Sequence, residues 1–129
     1  MDQLEKGLVG SAETEVTREN TAIALGSGSV EVFATPAMIA LMEKAARQSV
    51  QPALPEGMTT VGTLLEVQHI AATPVGMQVT AKSELVEVDG RRLVFKVEAF
   101  DSKEKIGEGL HQRFIIDANK FIAKAQSKC

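Results

Sequence analysis

The chain has 129 residues and a formal net charge of −3, which fits one domain with a single core and argues against a general nucleic-acid binder. It has neither Trp nor Tyr, so that core must rest on aliphatic side chains, Met and Phe. The only cysteine is Cys129, which rules out an internal disulfide and a cysteine-rich zinc site and suits a reducing compartment. Residues Met1 to Lys6 carry no basic-then-apolar leader. No apolar run approaches the roughly 20 residues of a membrane span. These features predict one domain over 1–129, cytoplasmic and away from membranes.

In chain order, Glu13 to Leu25 is rich in Thr and Val and predicts a strand. Gly26-Ser27-Gly28-Ser29 predicts a loop. A helix is expected to begin near Thr35, with Thr35 as N-cap and Pro36 at the first helical position. Met38, Leu41, Met42, Ala45 and Ser49 share one helical face, and Pro52 or Pro55 should end the helix. Thr59 to Ala72 predicts a strand, with Val61, Thr63, Leu65, Val67 and His69 on one face. Met77 to Val88 and Arg91 to Phe100 predict a hairpin joined at Asp89-Gly90. Lys105 to Ile116 predicts the last strand, and Asp117 can cap a short helix through Lys124. One long apolar helix followed by antiparallel strands predicts an α+β fold, with the sheet wrapped around that helix.

Two segments can carry chemistry. Val32 to Glu43 places a Thr-Pro helix start two turns before a carboxylate. Val67 to Pro74 supplies an imidazole. Together they offer a hydroxyl, a carboxylate and an imidazole, the kinds of group that acyl transfer uses. Each residue also has a plain structural role. Thr35 can cap the helix, Glu43 can pair with Arg47 one turn on, and His69 can be a hydrogen-bonded core histidine. Gly62, inside a strand, marks either a bulge or a close backbone approach. Arg113 shares a strand face with His111. Two histidines without an acidic cluster make no zinc motif, and Gly26 to Ser29 lacks the Gly-Lys-Ser/Thr of a phosphate loop.

The blocks VFATPAMIALME at 32–43, VGT at 61–63 and VQHIAATPVGMQVTA at 67–81 resemble the hot-dog fold, and within it the fluoroacetyl-CoA thioesterase-like family. VDGRRLVFKV at 88–97, IGEGLHQRFII at 106–116 and NKFIAK at 119–124 extend the resemblance over nearly all the chain after residue 31. It implies an acyl-CoA thioester hydrolase with Thr35, Glu43 and His69 as the functional residues and Gly62 and Arg113 supporting the acyl group. It also implies a homodimer with sites between subunits, and no cofactor beyond the coenzyme A of the substrate. His111 matches no catalytic position of the family and is read as structural.

There is one departure. Fluoroacetate-specific members carry a longer, phenylalanine-bearing lid before the threonine helix, whereas Ala24 to Glu31 is short and Gly/Ser-rich. General acyl-CoA hydrolysis is therefore expected over fluoroacetyl-CoA specificity. A non-catalytic acyl-CoA-binding protein is the alternative. A hot-dog hydratase is disfavoured, because no Asp is followed at short spacing by Pro and His. Arg91, Arg92, Lys96, Lys103 and Lys105 are candidates to meet the phosphates of coenzyme A, or to be solvated turn residues.

Overall fold

The computed structural model describes residues 4–129. Strand β1 (Val9–Glu15) is followed by a short helix α1 (Ala22–Leu25) and the long helix α2 (Thr35–Val50). Four strands then run in succession: β2 (Met58–His69), β3 (Gln78–Asp89), β4 (Arg92–Asp101) and β5 (Lys105–Asp117). Helix α3 (Ala118–Gln126) closes the chain. The strands form one antiparallel sheet in the order β1-β3-β4-β5-β2. Strands β1 and β2 are therefore its two edges.

Helix α2 packs chiefly against β1 and β3. Its buried residues are Met38, Leu41, Met42, Ala45, Ala46 and Val50. They meet Val79, Ala81, Leu85, Leu93, Phe95, Val97 and Ile115 from the sheet. Each fully buried Leu, Phe or Met among them contributes about 1.5–3 kcal/mol. Gly10 lets β1 and the helix approach, because a side chain there would overlap the Ala45 carbonyl and the Ser49 side chain. The predicted inward faces of β3 and β4 hold, with Val79, Ala81, Ser83 and Leu85 of β3 and Leu93, Phe95, Val97 and Ala99 of β4 all buried. Gly90, at φ +61°, supplies the left-handed turn residue between these strands.

Three expectations need correction. The first strand is Val9–Glu15 rather than 13–25. Thr17 and Thr21 use their hydroxyls to accept from Glu19 N and Ala24 N, so they cap short turns instead of continuing a strand. The N-cap of α2 is Ala34, with Thr35 the first helical residue and no side-chain cap bond. Strand β2 stops at His69 and carries a bulge between Gly62 and Leu64. The extra residue flips the alternation, so Thr60 and Gly62, not Val61 and Thr63, share the inward face with Val67 and His69.

Candidate active site

Thr35 and His69 meet directly. Thr35 Oγ1 lies 2.7 Å from His69 Nδ1. The hydroxyl is available because Ala34, not Thr35, occupies the capping position. Strand β2 delivers the imidazole at its last residue, opposite Gly107 of β5. Burial holds the His69 pKa below the ordinary 6.5 for an imidazole, with a backbone hydrogen bond at Ala71 opposing it. The second ring nitrogen, Nε2, is buried and has no hydrogen-bond partner among the described residues.

A cleft of about 350 Å³ opens beside this pair. Ala22, Val30, Val32, Phe33, Ala71 and Ala72 line it together with Thr35 and His69. Its wall contains no Asp, Glu, Lys or Arg. Such a cleft suits a neutral, partly apolar group.

Glu43 belongs to a second cluster. It lies two turns along α2 from Thr35, about 12 Å away by the rise of a helix. Its Oε2 is 3.4 Å from Arg113 Nη1, and this contact replaces the pairing with Arg47 that helical spacing allowed. Arg113 is 5% exposed and well satisfied. Its Nε donates to Thr60 Oγ1 at 2.7 Å, its Nη2 to the Thr60 carbonyl at 2.9 Å, and its Nη1 also to His111 Nε2 at 3.1 Å. Burial pulls the guanidinium below its usual pKa and the Glu43 charge opposes that. An arginine nevertheless remains cationic at neutral pH.

Gly62 faces this cluster. A Cβ there would lie 2.6 Å from Glu43 Oε2 and 3.5 Å from Arg113 Nη1. The bulge reading of this glycine applies: the bulge turns it inward, and the Glu43 carboxylate of the same chain lies in the space that results. Within one chain the structure brings Thr35 to His69, and Glu43 to Arg113 and Gly62, but it does not join the two groups.

Sequence reasoning missed Thr60, whose hydroxyl and carbonyl hold Arg113. Its orientation depends on the bulge, for which Gly62 was the only signal. Among the candidate phosphate contacts, Arg92 is paired with Glu87, and Lys105 with Glu98 and Glu108. Arg91, Lys96 and Lys103 form no ion pair among the described residues. Those residues also gather no group of three His, Cys, Asp or Glu side chains able to hold a metal ion. Among the described residues no helix is long and apolar enough to cross a membrane.

Comparison with known proteins agrees with this architecture. The model of the family described as fluoroacetyl-CoA-specific thioesterase, FlK, matches residues 16–119. A fluoroacetyl-CoA thioesterase from Streptantibioticus cattleyicolor is 46% identical over 98 residues, 76% of this chain and 70% of that protein. A solved structure of the fluoroacetyl-CoA thioesterase FlK superposes with a TM-score of 0.94 at 37% identity, covering 99% of both chains. A thioesterase superfamily member from Thermus thermophilus superposes with a TM-score of 0.89 at 29% identity, covering 98% of this chain and 94% of that one. Nothing in these relatives supports a non-catalytic binding module. The chain belongs to the fluoroacetyl-CoA-specific thioesterase family, and it is a hot-dog enzyme that hydrolyses acyl-CoA thioesters.

Proposed function

We propose that this hydrolase acts on short, uncharged acyl-CoA esters at a site shared by two copies of the chain, with Thr35, His69 and Glu43 as its catalytic groups. The observation that carries the reading is the 2.7 Å contact of Thr35 with His69 beside an uncharged cleft. An imidazole whose pKa is lowered by burial is unprotonated at neutral pH and can accept a proton.

Strand β2 supports the shared site. It is a 12-residue edge strand, and Leu64 and Leu65 on it and Leu110 and Phe114 beside it are exposed. A long edge with apolar side chains calls for a partner. Antiparallel pairing of β2 with its copy, about a twofold axis near Leu65 and Glu66, carries His69 of one chain toward Gly62 of the other. Thr35 and His69 of one subunit then join Glu43, Gly62 and Arg113 of its partner.

In that arrangement the carboxylate of Glu43 drives attack on the thioester carbonyl. The developing oxyanion is met by free N–H groups at the start of α2, which lacks a side-chain cap. Thr35 holds the His69 ring. The attacking water gives its proton to the neutral His69 ring, the C–S bond breaks, and His69 passes that proton to the departing sulfur. The products are a carboxylic acid and the coenzyme A thiol. Gly62 leaves room for the acyl group, and Arg113 fixes the carboxylate. The chemistry requires no metal or redox cofactor.

The relatives' names point to fluoroacetyl-CoA. In this chain the segment Gly26–Glu31 before the threonine helix carries no aromatic side chain, so we assign a broader acyl range. We place the enzyme in the cytoplasm, where its one exposed cysteine stays reduced. The test is coenzyme A release from fluoroacetyl-, acetyl-, branched and aromatic acyl-CoAs, by wild type and His69→Ala. Substrate is kept in large excess because Cys129 also reacts with thiol reagents. Turnover of several acyl groups, lost in the variant, is expected. Turnover of fluoroacetyl-CoA alone would overturn the broad range, and equal turnover by the variant would overturn the role of His69.

A further inference from the structure

His111 is the buried titratable group that the mechanism leaves unused. It is 0% exposed, and both ring nitrogens are engaged. Nδ1 lies 2.8 Å from the Leu64 carbonyl oxygen, and Nε2 lies 3.1 Å from Arg113 Nη1. The carbonyl can only accept, so Nδ1 donates to it. The guanidinium can only donate, so Nε2 accepts from it. Only the neutral ring with its proton on Nδ1 satisfies both partners.

These two bonds reach the two features that place Glu43. Leu64 is the residue at which β2 regains register after the bulge, and that bulge turns Gly62 inward. Arg113 Nη1 is the atom that contacts Glu43 Oε2 at 3.4 Å. The ring itself borders the space at Gly62, where a Cβ would lie 3.2 Å from His111 Cε1. A core histidine with only a structural part would need none of these links to the carboxylate.

We propose that His111 is a positioning residue for hydrolysis, aiming the Glu43 carboxylate through Arg113. The proposal rests on Glu43 and Arg113 serving the acyl site. Removing the acceptor at Nε2 leaves Nη1 with Glu43 alone at 3.4 Å, while the two bonds to Thr60 hold the rest of the guanidinium, and the carboxylate then loses part of its fixed direction. Misplacement of a reacting group by about 1 Å lowers turnover by up to about a hundredfold.

Two variants separate the ring's bonds. His111→Gln keeps an acceptor within reach of Arg113 and loses the donor to Leu64. His111→Asn keeps a donor for the Leu64 carbonyl and is too short to reach Arg113. With comparable melting curves, kcat should fall about tenfold or more in His111→Asn, with KM unchanged, and His111→Gln should restore most of it. In an Arg113→Ala background, His111→Asn should cause no further loss.

The outcomes are distinct. If Glu43→Gln and Arg113→Ala keep wild-type kcat, the reading of the acyl site fails. If those two lose activity while His111→Asn does not, or if its loss adds in full to that of Arg113→Ala, the positioning role is overturned. Should His111→Asn not fold, ¹⁵N-imidazole NMR of the wild-type enzyme decides. A neutral ring protonated on Nδ1, with an Nε2 resonance that moves in Arg113→Ala, is expected. A cationic ring, a ring protonated on Nε2, or a resonance indifferent to Arg113→Ala contradicts the proposal.

Discussion

Thr35 opens helix α2 without capping it, and its hydroxyl lies 2.7 Å from Nδ1 of His69 instead. A threonine at a helix start ordinarily accepts a backbone N–H, and its loss as a cap costs about 1 kcal/mol. Here that role is absent. Thr35→Ala should therefore melt within a few tenths of a kcal/mol of wild type while its kcat falls. Thr21→Ala, at a true cap, should show the opposite pattern. Parallel thermal melts and kinetics check both. A large loss of stability in Thr35→Ala would assign the residue to the fold.

Gly62 and Glu43 give a second prediction. A methyl group at position 62 would lie 2.6 Å from the Glu43 carboxylate, too close to be accommodated without movement. Gly62→Ala should push the carboxylate away and lower kcat by about tenfold to a hundredfold. Steady-state kinetics with a short acyl-CoA tests this, and unchanged kcat would remove Gly62 from the acyl site.

Both histidines predict a pH dependence. Burial lowers the pKa of His69 and of His111, and the Arg113 charge adds to the effect at His111 while the Leu64 hydrogen bond and Glu43 oppose it. The unfolded chain titrates near 6.5, so between the folded and unfolded values it binds more protons than the native state. The stability due to neutral burial is thus complete above about 6.5 and is lost as pH falls through the folded values. Melting temperature should drop on acidification below about pH 6. The drop should be shallower in His111→Gln, which has one titrating ring fewer. The acid limb of kcat/KM should likewise lie below 6.5, because His69 stays unprotonated further into acid. A limb above 6.5 would contradict the buried imidazole.

The edge strand predicts an assembly. Light scattering should give twice the chain mass. Leu64→Lys with Leu65→Lys on β2 should weaken the dimer and abolish turnover together, since like charges on a pairing edge oppose association. A monomer with full activity would refute the shared site.

Much of this was legible before the structure. The helix from Thr35 follows from Thr-Pro and the Met38, Leu41, Met42, Ala45 spacing, because helical periodicity is a local signal. The β3–β4 hairpin follows from Asp89-Gly90 and strict alternation on both sides. What escaped depended on single hydrogen bonds or single inserted residues. Thr17 and Thr21 resemble strand residues by type, yet their hydroxyls close turns. The bulge after Gly62 reversed the face of half a strand and concealed Thr60 as the partner of Arg113. Spacing put His111 and Arg113 on one face of β5 but was silent on Leu64, because that partner sits on β2 and is joined to β5 only by the sheet.

The central claim is that His69 of one subunit works with Glu43 of the other. Active-site complementation tests it most directly. His69→Ala and Glu43→Gln chains are each prepared, found inactive as homodimers, and then unfolded and refolded together. In a mixed dimer one interface site carries both substitutions and the other carries neither. Random assembly at equal amounts should restore about a quarter of wild-type kcat. No recovery, with mixed dimers shown to form, would place His69 and Glu43 of one chain in the same site and contradict the account.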